Sequence, residues 1–229
     1  MELLLIRHAQ PDWSPGGTGV NDPGLTPLGV AQAQQVADRL ELEEEVDELF
    51  VSTARRAQET AKPISAAVDP TPSDAEWLHE IRAPDDWDGT PAEEVAEHFA
   101  KARLRSREEF WEGLHKGGES FWDFHARVTT GLDYALAERG VLRHPDEPDH
   151  LWKVPKDKKR IVMVAHAGTN SVILGHLLGV RPQPWEWERF LMAHASVTLL
   201  KAVPISSGHI FSLRRFSDIG HLTPDQLTQ

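Results

Sequence analysis

Leu3-Leu4-Leu5-Ile6-Arg7-His8 decides how this chain is read. A short apolar run that stops abruptly at an arginine and a histidine has the pattern of a strand buried on both faces, with two polar side chains delivered at its C-terminal end. A Pro- and Gly-rich loop follows from Pro11 to Gly24, and Thr26-Pro27 then has the form of an N-cap with proline at the first helical position. Ala33, Val36, Ala37 and Leu40 fall on one helical stripe, which predicts a helix to about Leu42.

The same pattern recurs twice. Leu49-Phe50-Val51 ends at Ser52-Thr53 and is followed by a segment of helical composition from Arg55 to Ala67. Ile161-Val162-Met163-Val164-Ala165 ends at His166, and Gly168 opens a stretch with Val172, Ile173 and Leu177 on one side. Repeated strand-then-helix units predict an α/β fold, a three-layer αβα sandwich with a mainly parallel central sheet. Residues 82–139, richer in charge and Trp, read as a helical insertion covering the active-site side, with Thr90-Pro91-Ala92-Glu93 capping one helix and Ser120 to Leu136 forming another. His144 to Lys159 reads as a surface loop, Ser196 to Val203 with His209 to Phe216 as a late hairpin, and the tail after Leu222 as frayed. All 229 residues are expected to form one domain.

Composition narrows the function classes. The chain carries 24 Lys plus Arg against 36 Asp plus Glu, a formal charge of −12. Broad binding to nucleic acid runs on clustered positive charge, so no nucleic-acid partner is expected. Cys is absent, which removes disulfides, thiol nucleophiles and cysteine-based zinc sites. The first apolar run is too short for a signal peptide and no stretch approaches the ~20 apolar residues that span a bilayer, so a cytoplasmic protein without a membrane partner is expected. A metal site built on the 12 His is disfavoured, because His79, His98, His115, His125 and His144 lack tight ligand spacing.

In open sheets of this kind ligands sit beyond the carboxyl ends of the strands. Arg7 and His8 lie at one such end, Arg55 or Arg56 at the start of the second helix, and His166 after the later strand. Guanidinium forks, imidazoles and free amides of helix N-termini suit a tetrahedral dianion, and phosphate is the obvious occupant. A neutral imidazole can attack phosphorus while the surrounding cations spread the charge that builds on the equatorial oxygens. Glu80, just beyond Trp77-Leu78 at what reads as another strand end, is the candidate proton donor. Taken singly, a His after a strand or an Arg at a helix start is more often structural or solvated. The conjunction is what carries weight. Trp13 and Trp87 fall in loops near the site and could wall it, whereas Glu43, Glu44 and Glu45 read as a solvated helix end.

These residues resemble the motifs of the histidine phosphatase superfamily, the phosphoglycerate mutase-like enzymes. Arg7-His8-Ala9-Gln10 is similar to its Arg-His-Gly motif, and Asp22-Pro23-Gly24-Leu25-Thr26-Pro27-Leu28-Gly29 to its entry into the first helix with one residue added. Ser52 to Ala61 resembles the Ser-Pro-Leu-x-Arg-Ala-x-Gln-Thr-Ala segment, which makes Arg56 the phosphate-binding arginine. Leu78-His79-Glu80-Ile81 with Trp87-Asp88-Gly89, Gly117-Gly118-Glu119-Ser120 with Arg127, Val164 to Thr169, and Asp218 to Leu222 continue the likeness in order. The resemblance implies that His8 is the phosphorylated nucleophile, that Arg7, Arg56 and His166 bind the phosphoryl group with Ser14 as a further contact, and that Glu80 is the acid and base. It implies no metal and no cofactor, since arginines and His166 supply the positive charge.

Ala9 and Ala167 stand where the family usually has glycine, Ser14 where many members have asparagine, and Arg82-Ala83-Pro84-Asp85-Asp86 replaces the usual Phe-Gly-Asp. An unusual substrate preference is therefore expected. The activity expected is hydrolysis of a phosphate monoester through a phosphohistidine, with a small phosphorylated substrate as partner and a homodimer compatible with the sequence. Two other readings are a cofactor-dependent phosphoglycerate mutase, disfavoured by His79-Glu80-Ile81-Arg82 where mutases carry Asn-Glu-Arg-x-Tyr-Gly, and a non-catalytic binder of phosphorylated ligands.

Overall fold

In the computed structural model, residues 1–43, 45–84, 87–113, 117–147, 151–157 and 159–229 are described. Glu44, Asp85, Asp86 and His115, named in the sequence reading, lie outside them. The strands are β1 (Glu2–Arg7), β2 (Glu48–Val51), β3 (Ser73–Asp74), β4 (Leu142–Arg143), β5 (Trp152–Lys153), β6 (Arg160–Ala165), β7 (Val197–Ile205) and β8 (Gly208–Asp218). The α-helices are α1 (Pro27–Leu42), α2 (Arg55–Ala67), α3 (Ala92–Ala102), α4 (Arg107–Trp111), α5 (Phe121–Ala137), α6 (Ala167–Leu177) and the short α7 (Glu186–Arg189).

One eight-stranded sheet runs in the order β3-β2-β6-β1-β7-β8-β5-β4. It is mixed, which corrects the expectation of a mainly parallel sheet. The half built from β3, β2, β6 and β1 is parallel, but β7 pairs antiparallel with β1, and β8, β5 and β4 continue antiparallel. Parallel neighbours need a crossover on a face of the sheet, whereas β7 and β8 join by a tight turn and so alternate in direction. The strand β5 also lies inside the segment read as surface loop, where Trp152 is buried against Phe211.

The pleat sorts the apolar run of β1 onto two faces. Leu4 and Ile6, with Val162 and Val164 of β6, pack under Ala33, Val36, Ala37 and Leu40 of α1 and Ala57, Ala61 and Ile64 of α2. Leu3 and Leu5, with Ile161 and Met163, meet Phe124, Val128, Leu132 and Leu136 of α5 and Val172, Ile173 and Leu177 of α6. Each such side chain, fully buried, contributes about 1.5–3 kcal/mol, so register is strongly specified: a one-residue slip of β1 would swap both faces at once.

Helix starts follow local chemistry. The Thr26 hydroxyl accepts from the Gly29 amide at 2.9 Å, and Ser120 Oγ accepts from Asp123 N at 3.1 Å. A Cβ on Gly29 would fall 2.2 Å from the Gln10 carbonyl oxygen, so glycine is what lets α1 approach the loop after β1. Thr90 does not cap α3, whose N-cap is Pro91 without a side-chain bond. Among the described residues, no helix is long and apolar enough to cross a membrane.

Candidate active site

The carboxyl ends of β1, β6 and β2 are neighbours, with Arg7 opposite Ala165 and Val51 opposite Val164. The ladder extends past them: His8 N donates to Ala165 O at 2.9 Å, Ser52 N to Val164 O at 2.9 Å, and Ala195 N to His8 O at 3.2 Å. Three consecutive strand ends therefore fix the backbone of His8, Ser52 and His166 before any side chain is placed. His8 and His166 are both buried, with ring centroids 5.1 Å apart.

His8 donates from Nδ1 to the carbonyl oxygen of its neighbour Ala9 at 2.8 Å. A carbonyl can only accept, so Nδ1 carries the proton and Nε2 keeps its lone pair. Burial, together with the charges of Arg56 and Arg7, holds His8 well below the usual imidazole value. His166, at the N-cap of α6, is pushed the same way by burial, then by Arg56 and His8. Its Nε2 lies 2.7 Å from Ser52 Oγ. Both rings are neutral at physiological pH.

Arg56 is 3% exposed and faces the neighbouring histidines, whereas the Arg55 side chain is 64% exposed. Arg56 belongs to the buried stripe Arg56, Ala57, Thr60, Ala61 and Ile64 of α2, and Trp13 lies over its guanidinium at 4.8 Å from the ring centre. The Thr60 hydroxyl donates to Arg56 O at 2.7 Å and accepts from Ala9 N at 3.0 Å, tying α2 to the loop after β1. Arg55 instead reaches outward to Glu59 at 2.8 Å.

Arg7 is buried deeply enough that desolvation brings it down to about 10, opposed by the charge of Glu80. Its Nη1 donates to Met192 O and its Nη2 to His194 Nε2 at 2.9 Å. Four buried nitrogens in this neighbourhood have no hydrogen bond: Arg7 Nε, Arg56 Nε and Nη1, and His166 Nδ1, with Arg56 Nη1 at 3.5 Å from the exposed carboxylate of Asp22. Unmet buried polar atoms are costly, and the guanidinium donors among them suit an anionic acceptor.

Glu80 follows a 3₁₀ turn, Glu76–Leu78, not a strand as the sequence suggested. Its Oε2 accepts from Gly168 N at 2.8 Å and its Oε1 from Ile81 N at 3.1 Å. A Cβ on Gly168 would lie 2.5 Å from Oε1, so glycine at the first turn of α6 is what admits the carboxylate. The segment that carries Glu80 is clamped by Arg127, whose Nη1 donates to His79 O at 3.0 Å and Nη2 to Glu80 O at 3.3 Å. Arg127 is itself held bidentately by Glu119, 2.8 Å at both oxygens.

The structure thus brings Arg7, His8, Arg56, Glu80 and His166 together. Ser14 is half-buried at the start of the 3₁₀ turn Pro15–Gly17, its side chain forms no cap, and no hydrogen bond joins it to the others. Trp13 reaches the site, whereas Trp87 packs on His98 and Phe99 of α3. Three other arginines of the insertion are engaged elsewhere: Arg82 pairs with Glu76, Arg103 with Glu188, and Arg107 Nε donates to Gln183 Oε1. Sequence reasoning missed His194, whose ring lies 5.6 Å from that of His8. Its position just before β7, next to β1 in the sheet, was the available signal.

Comparison with known proteins places the chain in a family. The family model described as the histidine phosphatase superfamily (branch 1) matches residues 3–205. Phosphoserine phosphatase 1 of Hydrogenobacter thermophilus is 32% identical over 139 residues, 58% of this chain and 63% of its own length. A 2,3-bisphosphoglycerate-dependent phosphoglycerate mutase of Methylobacterium sp. is 33% identical over 143 residues, 59% of this chain and 66% of its own. The chain therefore spans a little under two thirds of these two relatives. Among solved structures, a mycobacterial glucosyl-3-phosphoglycerate phosphatase in complex with VO3 superposes with a TM-score of 0.68 at 25% identity, covering 94% of this chain and 98% of that one.

Proposed function

This chain belongs to the histidine phosphatase superfamily, and from that premise we propose that it hydrolyses a small phosphate monoester through a phosphohistidine formed on His8. The observation that carries the reading is the set of buried nitrogens without a hydrogen bond on Arg7, Arg56 and His166 beside an imidazole whose Nε2 keeps its lone pair. The donors take the phosphoryl oxygens. His8 Nε2 forms a bond to phosphorus as the ester P–O bond breaks, and protonated Glu80 gives its proton to the leaving oxygen. In the second half, Glu80 takes a proton from water, the water oxygen bonds to phosphorus, and the N–P bond breaks to regenerate neutral His8. The two guanidinium groups stabilise the equatorial charge in both halves. With a formal charge of −12, the protein attracts an anion here through a local island of positive potential.

The test is release of inorganic phosphate from a panel of phosphorylated metabolites, with trapping of an acid-labile phosphoryl group on the protein. Wild type is expected to turn over and to label, and His8→Ala to lose at least about 10³-fold in kcat while staying folded. Undiminished turnover in His8→Ala would remove the covalent mechanism. Similarity to a mutase favours the second reading. Rapid interconversion of phosphoglycerates with little phosphate released would establish it.

A further inference from the structure

Arg7 is anchored from behind by chain that lies far from it in sequence. A guanidinium has donors only, so the 2.9 Å contact between Arg7 Nη2 and His194 Nε2 requires that nitrogen to accept. Burial, reinforced by the Arg7 charge, brings His194 down to about 3, so the ring is neutral and its single proton sits on Nδ1. That N–H donates to Thr228 Oγ1 at 2.9 Å, and the His194 amide donates to Thr228 O at 3.1 Å. The same hydroxyl oxygen accepts from Gln32 Nε2 at 2.9 Å, which also reaches Gln226 O at 2.6 Å. Gln32 is fully buried, and its Oε1 accepts from Gln10 N at 2.8 Å. The tail expected to fray is instead a strap, turned by the capping box of Thr223 and Gln226 and fastened on both sides of the Arg7-His8-Ala9-Gln10 loop.

We propose that segment 226–228 is a working part of the phosphate site: Thr228 fixes the tautomer and ring plane of His194, and His194 fixes the guanidinium of Arg7 beside His8. The anchoring consumes Nη1, on Met192 O, and Nη2, on His194, and leaves Arg7 Nε buried without a partner. The back edge of the fork is held so that the remaining donors face the guest. A free guanidinium on a flexible stem would lose that orientation on each binding event, and ordering it again would weaken capture of the anion. His194 and Thr228 are positioning residues, since neither touches the reacting atoms. The inference rests on the phosphatase reading only in taking the guest of Arg7 to be a phosphoryl group.

Calorimetric titration with inorganic phosphate, read beside steady-state kinetics and urea unfolding, tests it. Thr228→Val removes the hydroxyl from the half-buried strap while keeping the side chain's shape, and is expected to weaken phosphate binding and raise KM about tenfold, with kcat and the unfolding midpoint changed far less. Thr228→Ser keeps the hydroxyl and restores both. His194→Leu removes both the acceptor for Arg7 and the donor to Thr228, and should cost at least as much as Thr228→Val, with the double variant no worse than His194→Leu alone. Phosphate binding in Thr228→Val equal to wild type, equal behaviour of the Val and Ser variants, or strictly additive losses would overturn the proposal. If His194→Leu does not fold, the Val and Ser pair decides alone. Wild type that binds phosphate but hydrolyses no ester would refute the proposed activity while leaving this comparison fully readable.

Discussion

Lowering pH from 7.5 to 5.5 should destabilise the ligand-free protein far more than its acidic composition suggests. His8, His166 and His194 are buried and neutral, all held below the usual imidazole value by burial and neighbouring arginines, His194 down to about 3. The unfolded chain protonates them near pH 6.5 while the folded chain does not, so stability is complete above about 6.5 and is lost as pH falls. Each ring that stays neutral while the unfolded chain protonates costs on the order of 1 kcal/mol at pH 5.5 and almost nothing at pH 7.5. Together the three amount to a few kcal/mol, a noticeable share of the ~5–15 kcal/mol typical of a folded domain. His125 and His221 are shifted the same way and add to it, while Glu186, raised by burial, works in the opposite sense. The lowered carboxylates, such as Glu43 at about 2 among its arginines, lose stability only well below pH 5.5 and leave the window clean. Urea unfolding followed by the fluorescence of the 8 Trp residues measures the slope. A free energy of unfolding that falls by less than about 1.4 kcal/mol between pH 7.5 and 5.5 would refute the assignment of these rings as buried and neutral.

Four further substitutions read individual side chains. Glu80→Gln should slow esters with poor leaving groups by about 10²–10³-fold and activated aryl phosphates by less than about tenfold; equal losses on both would remove Glu80 as the proton donor. Arg127→Leu strips the clamp from the Glu80 segment and leaves Glu119, 9% exposed at its side chain, without its bidentate partner. A loss of about 2–4 kcal/mol in urea unfolding is expected, with a lower kcat in the fraction that stays folded. Arg56→Lys should cost kcat/KM at least about 30-fold, because a point charge cannot replace a buried fork on an anion, while Arg55→Lys, on the solvent face, should change it by less than about twofold.

How much of this was legible in the sequence depends on the range of the interaction involved. The runs ending at Arg7-His8 and at His166, and the N-caps Thr26 and Ser120, are local signals, and the elements stand where those signals put them. Arg56 was decidable too: it lies four residues before Thr60 and eight before Ile64 on the buried stripe of α2, and continuing the stripe backwards selects it over Arg55. The direction of β7 was not decidable, because an apolar run pairs with β1 equally well on periodicity in either sense. Glu80 was identified as a residue but misplaced as an element, since a single 3₁₀ turn leaves no period to read. The Thr228 strap was least legible: its composition, Thr-Pro-Asp-Gln-Leu-Thr-Gln, is that of a frayed end, and what orders it are hydrogen bonds to Gln32 and His194, neither of which lies near it in sequence.

The site therefore rests on one physical trade. Two guanidinium groups are buried beside two neutral imidazoles, and the burial that holds His8 neutral is the same burial that leaves Arg7 Nε, Arg56 Nε and His166 Nδ1 without a hydrogen bond. A dianion entering the cluster supplies acceptors to all of them and offsets the field that depresses both imidazoles, so its binding should raise their values and return stability that acid removes. Acid sensitivity without phosphate and protection with it are thus two readings of one arrangement. Removing the strap at Thr228 should diminish the protection by phosphate while leaving the acid sensitivity in place, because the strap sets where Arg7 points and not whether His8 is buried.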